Sequence, residues 1–255
     1  MNPNEAFDRE VRANIDGLKA DRDIQALSRI WMREASPHKY AYNFRWMGRP
    51  IIQLPQDMMA MQEIIWATRP DLIIETGLAH GGSVLYYASL LELMGHGQVI
   101  GIDIDIRPHN RTAIEAHPMS RRLHLIQGSS IADDVVAQVR ACAEGKTVIV
   151  VLDSNHAHDH VLAELRAYTP LVSQGSYCVV MDTLVEDMPS YLSNPNRPWG
   201  VGNNPKTAVR TFLGECDDFE VDADLEAKLL ISVAPSGYLR RVKRAANRPS
   251  KGVAE

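Results

Sequence analysis

Four acidic residues, each closing an apolar run, are the groups in this 255-residue chain best placed to do chemistry. Glu75 ends Ile73-Ile74-Glu75, and Asp103 ends Gln98-Val99-Ile100-Gly101-Ile102-Asp103. Asp153 follows Thr147-Val148-Ile149-Val150-Val151-Leu152, and Asp182 follows Tyr177-Cys178-Val179-Val180-Met181. Ligands of open parallel sheets gather at the carboxyl ends of strands, so acids at such ends share one working edge. After Glu75 come Thr76-Gly77-Leu78-Ala79-His80-Gly81-Gly82-Ser83, a strand-to-helix turn. Glycines allow a ligand close to the backbone and a helix start offers unpaired amides, so Gly77 and Gly81 fit a nucleotide-like cofactor. The spacing is not the dinucleotide G-x-G-x-x-G, which argues against a pyrophosphate cradle. Asp103, roughly 20 to 30 residues past the turn, is placed to accept hydrogen bonds from ribose hydroxyls, with Asp105 as a neighbouring competitor.

Asp153 and Asp182 read as a metal pair facing each other across adjacent strands, and two hard oxygen donors open to water and substrate suit Mg²⁺. Zinc is the rival, because His156, His158 and His160 follow Asp153. Alternation across a loop-to-helix junction does not put all three on one face, however, and no second donor cluster appears. His156, three residues past Asp153, is the candidate general base. Imidazole ordinarily titrates near neutral pH, and a metal makes the hydroxyl it must deprotonate more acidic. His158 and His160 read as helix-start and surface histidines. Trp46, in the aromatic residues 40–55, and Trp199, in the Pro-, Gly- and Asn-rich residues 193–204, either contact a substrate or anchor their own segments. Residues 193–204 are long enough for a substrate lid or an ordered connection.

These groups need a scaffold that alternates strand and helix. Further elements are expected as a strand at 123–127 and helices at 57–67, 131–142, 158–171 and 205–214, with strands at 219–222 and 229–234 pairing as a hairpin. Right-handed crossovers then give an α/β, Rossmann-like, doubly wound and mainly parallel sheet with one antiparallel strand. Residues 3–33 carry Phe7, Val11, Ile15, Leu18, Ile24, Leu27, Ile30 and Trp31 at helical spacing, an N-terminal helical cover. The expected division is an arm at 1–55, a cofactor-binding domain at 56–240 and a basic polar tail at 241–255. With 45% apolar residues the chain can bury a full core, and its formal charge of -5 argues against a general nucleic-acid binder. Cys142, Cys178 and Cys216 are isolated and lack zinc spacing, which fits a reducing, cytoplasmic setting. No secretory signal or apolar run of roughly 18 residues is visible, so a soluble protein is expected. The tail, from Arg240 and Arg241 to Lys251, either touches acidic lipid at a membrane surface or is solvated, and the aromatic N-terminal segment suggests a homo-oligomer.

The sequence resembles the cephalosporin hydroxylase family, which despite its label has a Rossmann-type S-adenosylmethionine-dependent methyltransferase fold and includes rhamnosyl and other sugar O-methyltransferases. The resemblance spans residues 40–238. It is carried by Asn43-Phe44-Arg45-Trp46-Met47-Gly48-Arg49-Pro50-Ile51-Ile52-Gln53, Glu75-Thr76-Gly77 with Gly81-Gly82-Ser83, Gly101-Ile102-Asp103-Ile104-Asp105, Gly128-Ser129-Ser130, Leu152-Asp153-Ser154-Asn155-His156, Met181-Asp182-Thr183 and Arg197-Pro198-Trp199-Gly200. It implies that Glu75, Gly77 and Ser83 surround the methionine end of S-adenosylmethionine (SAM), that Asp103 binds its ribose and that Ser129 lies near its adenine. It also implies that Asp153 and Asp182 hold Mg²⁺, with His156 as the base acting on a small-molecule or glycoconjugate acceptor. Met181 departs from the paired acids or Asp-Asn that relatives often carry at this strand end, leaving one strong ligand there with Thr183 or water as supplement. Two rivals remain: a nicotinamide-dependent oxidoreductase, disfavoured by the glycine spacing, and a nucleotide-binding or interaction protein that has lost catalysis.

Overall fold

The structure, a computed structural model, describes residues 2–192 and 196–242. The tail from Lys243 onward, including most of the expected basic segment, lies outside the described residues, as does the start of the expected lid at residues 193–195.

The chain begins with two amphipathic helices, α1 (Pro3–Ala20) and α2 (Arg22–Ala35). Each starts on a side-chain cap: Asn2 accepts from the Asn4 amide, and Asp21 accepts from the amides of Asp23 and Ile24. Such caps satisfy amides that a helix start leaves orphaned. Together these helices fully bury only Ser28 and Met32, so they form a cover over the domain and not part of its core. The aromatic segment that follows folds as an antiparallel hairpin of β1 (Phe44–Trp46) and β2 (Arg49–Ile51). Helix α3 (Pro55–Thr68) then leads into the main sheet.

The main domain alternates strand and helix: β3 (Leu72–Thr76), α4 (Gly82–Met94), β4 (Gln98–Asp103), α5 (Pro108–Glu115), β5 (Leu123–Gln127), α6 (Asp133–Ala143), β6 (Val148–Leu152), α7 (His158–Tyr168) and β7 (Tyr177–Val180). It closes with α8 (Pro205–Glu215), β8 (Phe219–Val221), α9 (Ala223–Leu229) and β9 (Tyr238–Arg241). Among the described residues the main sheet has seven strands in the order β5-β4-β3-β6-β7-β9-β8. β3 pairs in parallel with both β4 and β6, and β9 runs antiparallel to both β7 and β8. Every residue of β3 and β6 is buried, which explains their unbroken apolar runs: helices cover both faces of the sheet, and each face has its own apolar core. The strand order reverses between β3 and β6, so a crevice opens at their carboxyl ends.

The antiparallel strand expected from the sequence exists, but not at 229–234. Those residues are the end of α9 and the loop beyond it, and the strand is Tyr238–Arg241. A carboxylate on α3 holds the loop in place of a ladder. The buried side chain of Asp57 accepts from Ser232 Oγ at 2.6 Å, the Val233 amide at 2.9 Å and Tyr238 Oη at 2.7 Å. Its burial raises the Asp57 carboxyl above its usual range against these three bonds. Among the described residues no helix is long and apolar enough to cross a membrane.

Candidate active site

The crevice is a cavity of about 760 Å³ at the carboxyl edge of the sheet. Its walls bring together Gly77, Asp103, Ser129, Asp153, His156, Asp182 and Trp199 from the sheet edge with Trp31, Met32, Tyr40 and Tyr42 from the N-terminal segment. Its size is within the range of small-molecule sites, roughly 300 to 1,000 Å³.

On the β3 side, Gly77 has φ +84 and lies so close to β6 that a Cβ would stand 2.1 Å from the Asp153 carbonyl oxygen. Only glycine allows both that conformation and that approach. Glu75 is fully buried. Its Oε2 accepts from Ser83 Oγ at 2.8 Å, its Oε1 has no partner, and burial pushes its carboxyl up to about 8. Asp103 closes the turn from the next strand, accepting from the Leu78 amide at 2.8 Å through Oδ2 and from the Asp105 amide at 2.9 Å through Oδ1. Arg49 braces the same turn by donating to the His80 carbonyl and to Asn110 Oδ1, while Asn110 donates to the Ala79 carbonyl.

Two expected residues have other work. Gly81 does not line the cavity. It adopts φ +78 as the N-cap of α4, and a Cβ would stand 2.3 Å from Ile114 Cδ1, so its absent side chain makes room for α5. Trp46 does not reach the cavity either: its indole N–H donates to Ser89 Oγ at 3.0 Å and its ring packs edge-on against Tyr86. It anchors the hairpin on α4. Nothing in the sequence distinguishes this packing role from sugar stacking.

The β6 and β7 ends place Asp153 and Asp182 side by side with His156, one ligand atom from each lying within 4.8 Å of the others. His156 Nε2 is 3.2 Å from Asp182 Oδ2, and the imidazole meets the edge of Trp199 with ring centres 5.0 Å apart. Asp182 itself sits at φ 55, a left-handed conformation costing a non-glycine residue about 1–2 kcal/mol, which is the sort of strain functional sites retain. Desolvation, then the neighbouring Asp182, Glu75 and Glu164, raises the Asp153 carboxyl well above its usual range. Met181 is buried and lines the cavity. Thr183 is not a spare donor: it is fully buried and its hydroxyl donates to the Pro235 carbonyl at 2.7 Å.

His160, expected at the surface, lines the cavity instead. Its Nε2 lies 3.1 Å from Ser130 Oγ, 3.2 Å from Ser154 Oγ and 3.5 Å from the buried carboxylate of Glu164. The i,i+4 spacing of His160 and Glu164 on one helix was the available signal. His158 caps the loop as expected of a helix-start residue, with its amide donating to Asn203 Oδ1 and Nδ1 lying 2.8 Å from Thr207 Oγ1. Trp199 is carried by a loop that Glu186 secures, accepting from the Gly202 amide and from Asn204 Nδ2.

A mainly parallel sheet with one antiparallel strand beside its edge, and a cavity at its switch point bordered by a glycine turn and an acid cluster, define an α/β protein of the methyltransferase type. Residues 38–242 match the family described as Rhamnosyl O-methyltransferase/CmcI, and the chain belongs to that family. It is 31% identical over 218 residues to the Rhamnosyl O-methyltransferase of Mycobacterium tuberculosis (strain ATCC 25618 / H37Rv), covering 80% of this chain and 83% of that one. With its counterpart from Mycobacterium leprae (strain TN) the identity is 30%, over 80% of this chain and 88% of the relative. Among solved structures, apo CmcI-N160 superposes with a TM-score of 0.57 at 21% identity, covering 80% of this chain and 78% of the other. CmcI-D160 with Mg and SAM gives 0.55 at 21% identity, over 79% and 78%. The family and fold expected from the sequence are thus the ones found.

Proposed function

We propose that this chain transfers a methyl group from SAM to a hydroxyl of a sugar or glycoconjugate, with Mg²⁺ assistance. One observation carries the reading: the glycine turn with Asp103 and the cluster of Asp153, His156 and Asp182 border a single cavity. The crowding of the half-exposed Asp182 and the buried Glu75 and Glu164 around Asp153 is the chemistry a divalent cation fits, and Asp153 and Asp182 would hold it. When bound, Mg²⁺ would supply Lewis-acidic positive charge and SAM the methyl group.

The chain's own residues do the rest. Glu75, Gly77 and Ser83 receive the amino-acid end of SAM, Asp103 its ribose hydroxyls, and Ser129 its adenine side. His156 takes the proton of the acceptor hydroxyl. Its Nε2 faces Asp182, which leaves Nδ1 to accept that proton, and the imidazolium formed stands beside the Asp182 carboxylate. Trp199 offers an aromatic face for the sugar, and the guanidinium of Arg197 lies 5.3 Å from its ring centre. The methyl transfer is an in-line displacement, so alignment of acceptor oxygen, methyl carbon and sulfur is the main demand on the cavity. The related Rhamnosyl O-methyltransferases support a deoxysugar acceptor. A cytoplasmic location, supported by three free cysteines, and self-association through the aromatic N-terminal segment belong to the same proposal.

Calorimetric titration with SAM and separately with NAD⁺, each with Mg²⁺ and with chelator, tests the cofactor. Incubation with rhamnosides followed by mass spectrometry tests the acceptor. Micromolar SAM binding and a gain of one methyl mass on the sugar are expected. Failure to bind SAM, or preference for NAD⁺, sinks the reading.

A further inference from the structure

Two buried oxygen acceptors flank the glycine turn without a donor. Gln53, 1% exposed on the segment leaving β2, donates its Nε2 to Tyr87 Oη at 3.2 Å and leaves Oε1 unpartnered. Glu75 is bonded to Ser83 through Oε2 and leaves Oε1 unpartnered. Gln53 and Ser83 line the same small secondary cavity of about 30 Å³, with Gly77 and Asp153 in its wall, and Gln53 lines the main cavity too. Buried polar atoms are ordinarily hydrogen-bonded, so the unpartnered Gln53 Oε1 in the cavity wall, with Glu75 Oε1 unpartnered on the strand leading into the same turn, points to a ligand bearing donors. A primary ammonium has three N–H donors, no acceptor, and a charge that complements Glu75.

We propose that Gln53 is a cofactor-binding residue, its Oε1 acting with Glu75 Oε1 to receive the α-ammonium group of the SAM amino-acid end. The inference rests on the SAM reading above and adds to it a residue from the N-terminal arm. The position of Gln53 is fixed by packing. A Cβ on Gly82 would stand 2.1 Å from the Pro50 carbonyl oxygen, so β2 lies directly on the start of α4. Arg49, one residue earlier, bonds to the turn at His80. Hairpin and glycine turn therefore form one unit, and Gln53 closes its ammonium side.

The test compares S-adenosylhomocysteine, which carries the amino-acid end, with 5′-methylthioadenosine, which lacks it, by calorimetry on the wild type, Gln53→Ala and the near-isosteric Gln53→Met. Both variants are expected to bind S-adenosylhomocysteine about tenfold more weakly, or worse, and 5′-methylthioadenosine within about twofold of wild type. If Gln53→Ala does not fold, as circular dichroism will show, Gln53→Met decides. Unchanged affinity for S-adenosylhomocysteine, or equal weakening of both ligands, overturns the role of Gln53 and leaves the SAM reading standing. A wild type that binds neither ligand overturns both.

Discussion

Glu75 carries, at the residue scale, a cost of burial that the proposed cofactor would relieve. Its carboxyl is raised from 4.5 to about 8 by burial, so between those values the folded chain holds a proton that the unfolded chain has lost. Stability attributable to Glu75 is therefore full below about pH 4.5 and falls as pH rises toward 8, by at most about 1.4 kcal/mol per unit. Urea unfolding of the cofactor-free protein at pH 5 and pH 8 should show that loss in the wild type and a smaller one in Glu75→Gln. His156→Ala should lower kcat by about 10²- to 10⁴-fold, the usual range for a lost general base, while SAM affinity stays within about twofold. A matched drop in SAM affinity would instead make His156 part of the cofactor site. At this scale the sequence was informative about location where a residue closes a strand, as for Asp103, Asp153 and Asp182, which all border the one cavity. It failed where the role depends on a contact from a distant segment. Trp46 points its N–H at Ser89, His160 turns into the cavity toward Ser130, and Gly81 yields to Ile114.

The elements were legible to the extent that their burial is continuous. β4 and β5 lie at the residues expected and β6 differs by one; β4 and β6 read as apolar runs because interior strands are covered on both faces, whereas β5 is a half-exposed edge strand. β9 was missed because Tyr238-Leu239-Arg240-Arg241 hides a buried half behind two arginines, one of which donates to the Val172 carbonyl. The apolar run at 229–234 misled because Asp57 satisfies that loop from 175 residues away in sequence. The Trp199 loop offers a prediction of its own. Glu186 accepts from the Gly202 amide and Asn204, and also pairs with Arg210. Glu186→Ala leaves the Gly202 amide without its acceptor and removes one of the two bonds of Asn204 Nδ2, which keeps the Gly200 carbonyl, and should cost about 1–3 kcal/mol in unfolding free energy. It should also raise the acceptor KM several-fold with SAM affinity unchanged, because on the proposed reading Trp199, packed against His156, faces the acceptor. Initial-rate kinetics and SAM titration separate the two effects, and a loss of SAM affinity would count against that division.

For the whole molecule, the N-terminal layer is the part whose purpose the sequence left most open. α1 and α2 bury two residues fully, one of them Met32 at the cavity wall, and α1 is tied to α9 by a pair between Lys19 and Asp224 at 2.9 Å. That ion pair is solvent-exposed, and such pairs stabilise little. Deleting residues 2–35 should thus leave the thermal midpoint within a few degrees and SAM binding intact, while acceptor turnover falls sharply as Trp31, Met32 and Ala35 leave the cavity wall. Differential scanning fluorimetry and a methyl-transfer assay read these outcomes, and collapse of the fold would show that the layer belongs to the core. The cavity is consequently built from two parts under unequal constraint. Substitutions on the sheet side disturb a close-packed glycine turn, whereas those on the N-terminal face change a wall built from Trp31, Met32 and Ala35 without disturbing the two apolar cores of the sheet. A lineage could thereby drift from one hydroxyl compound to another by remodelling some thirty residues, leaving the methyl-donor half unaltered.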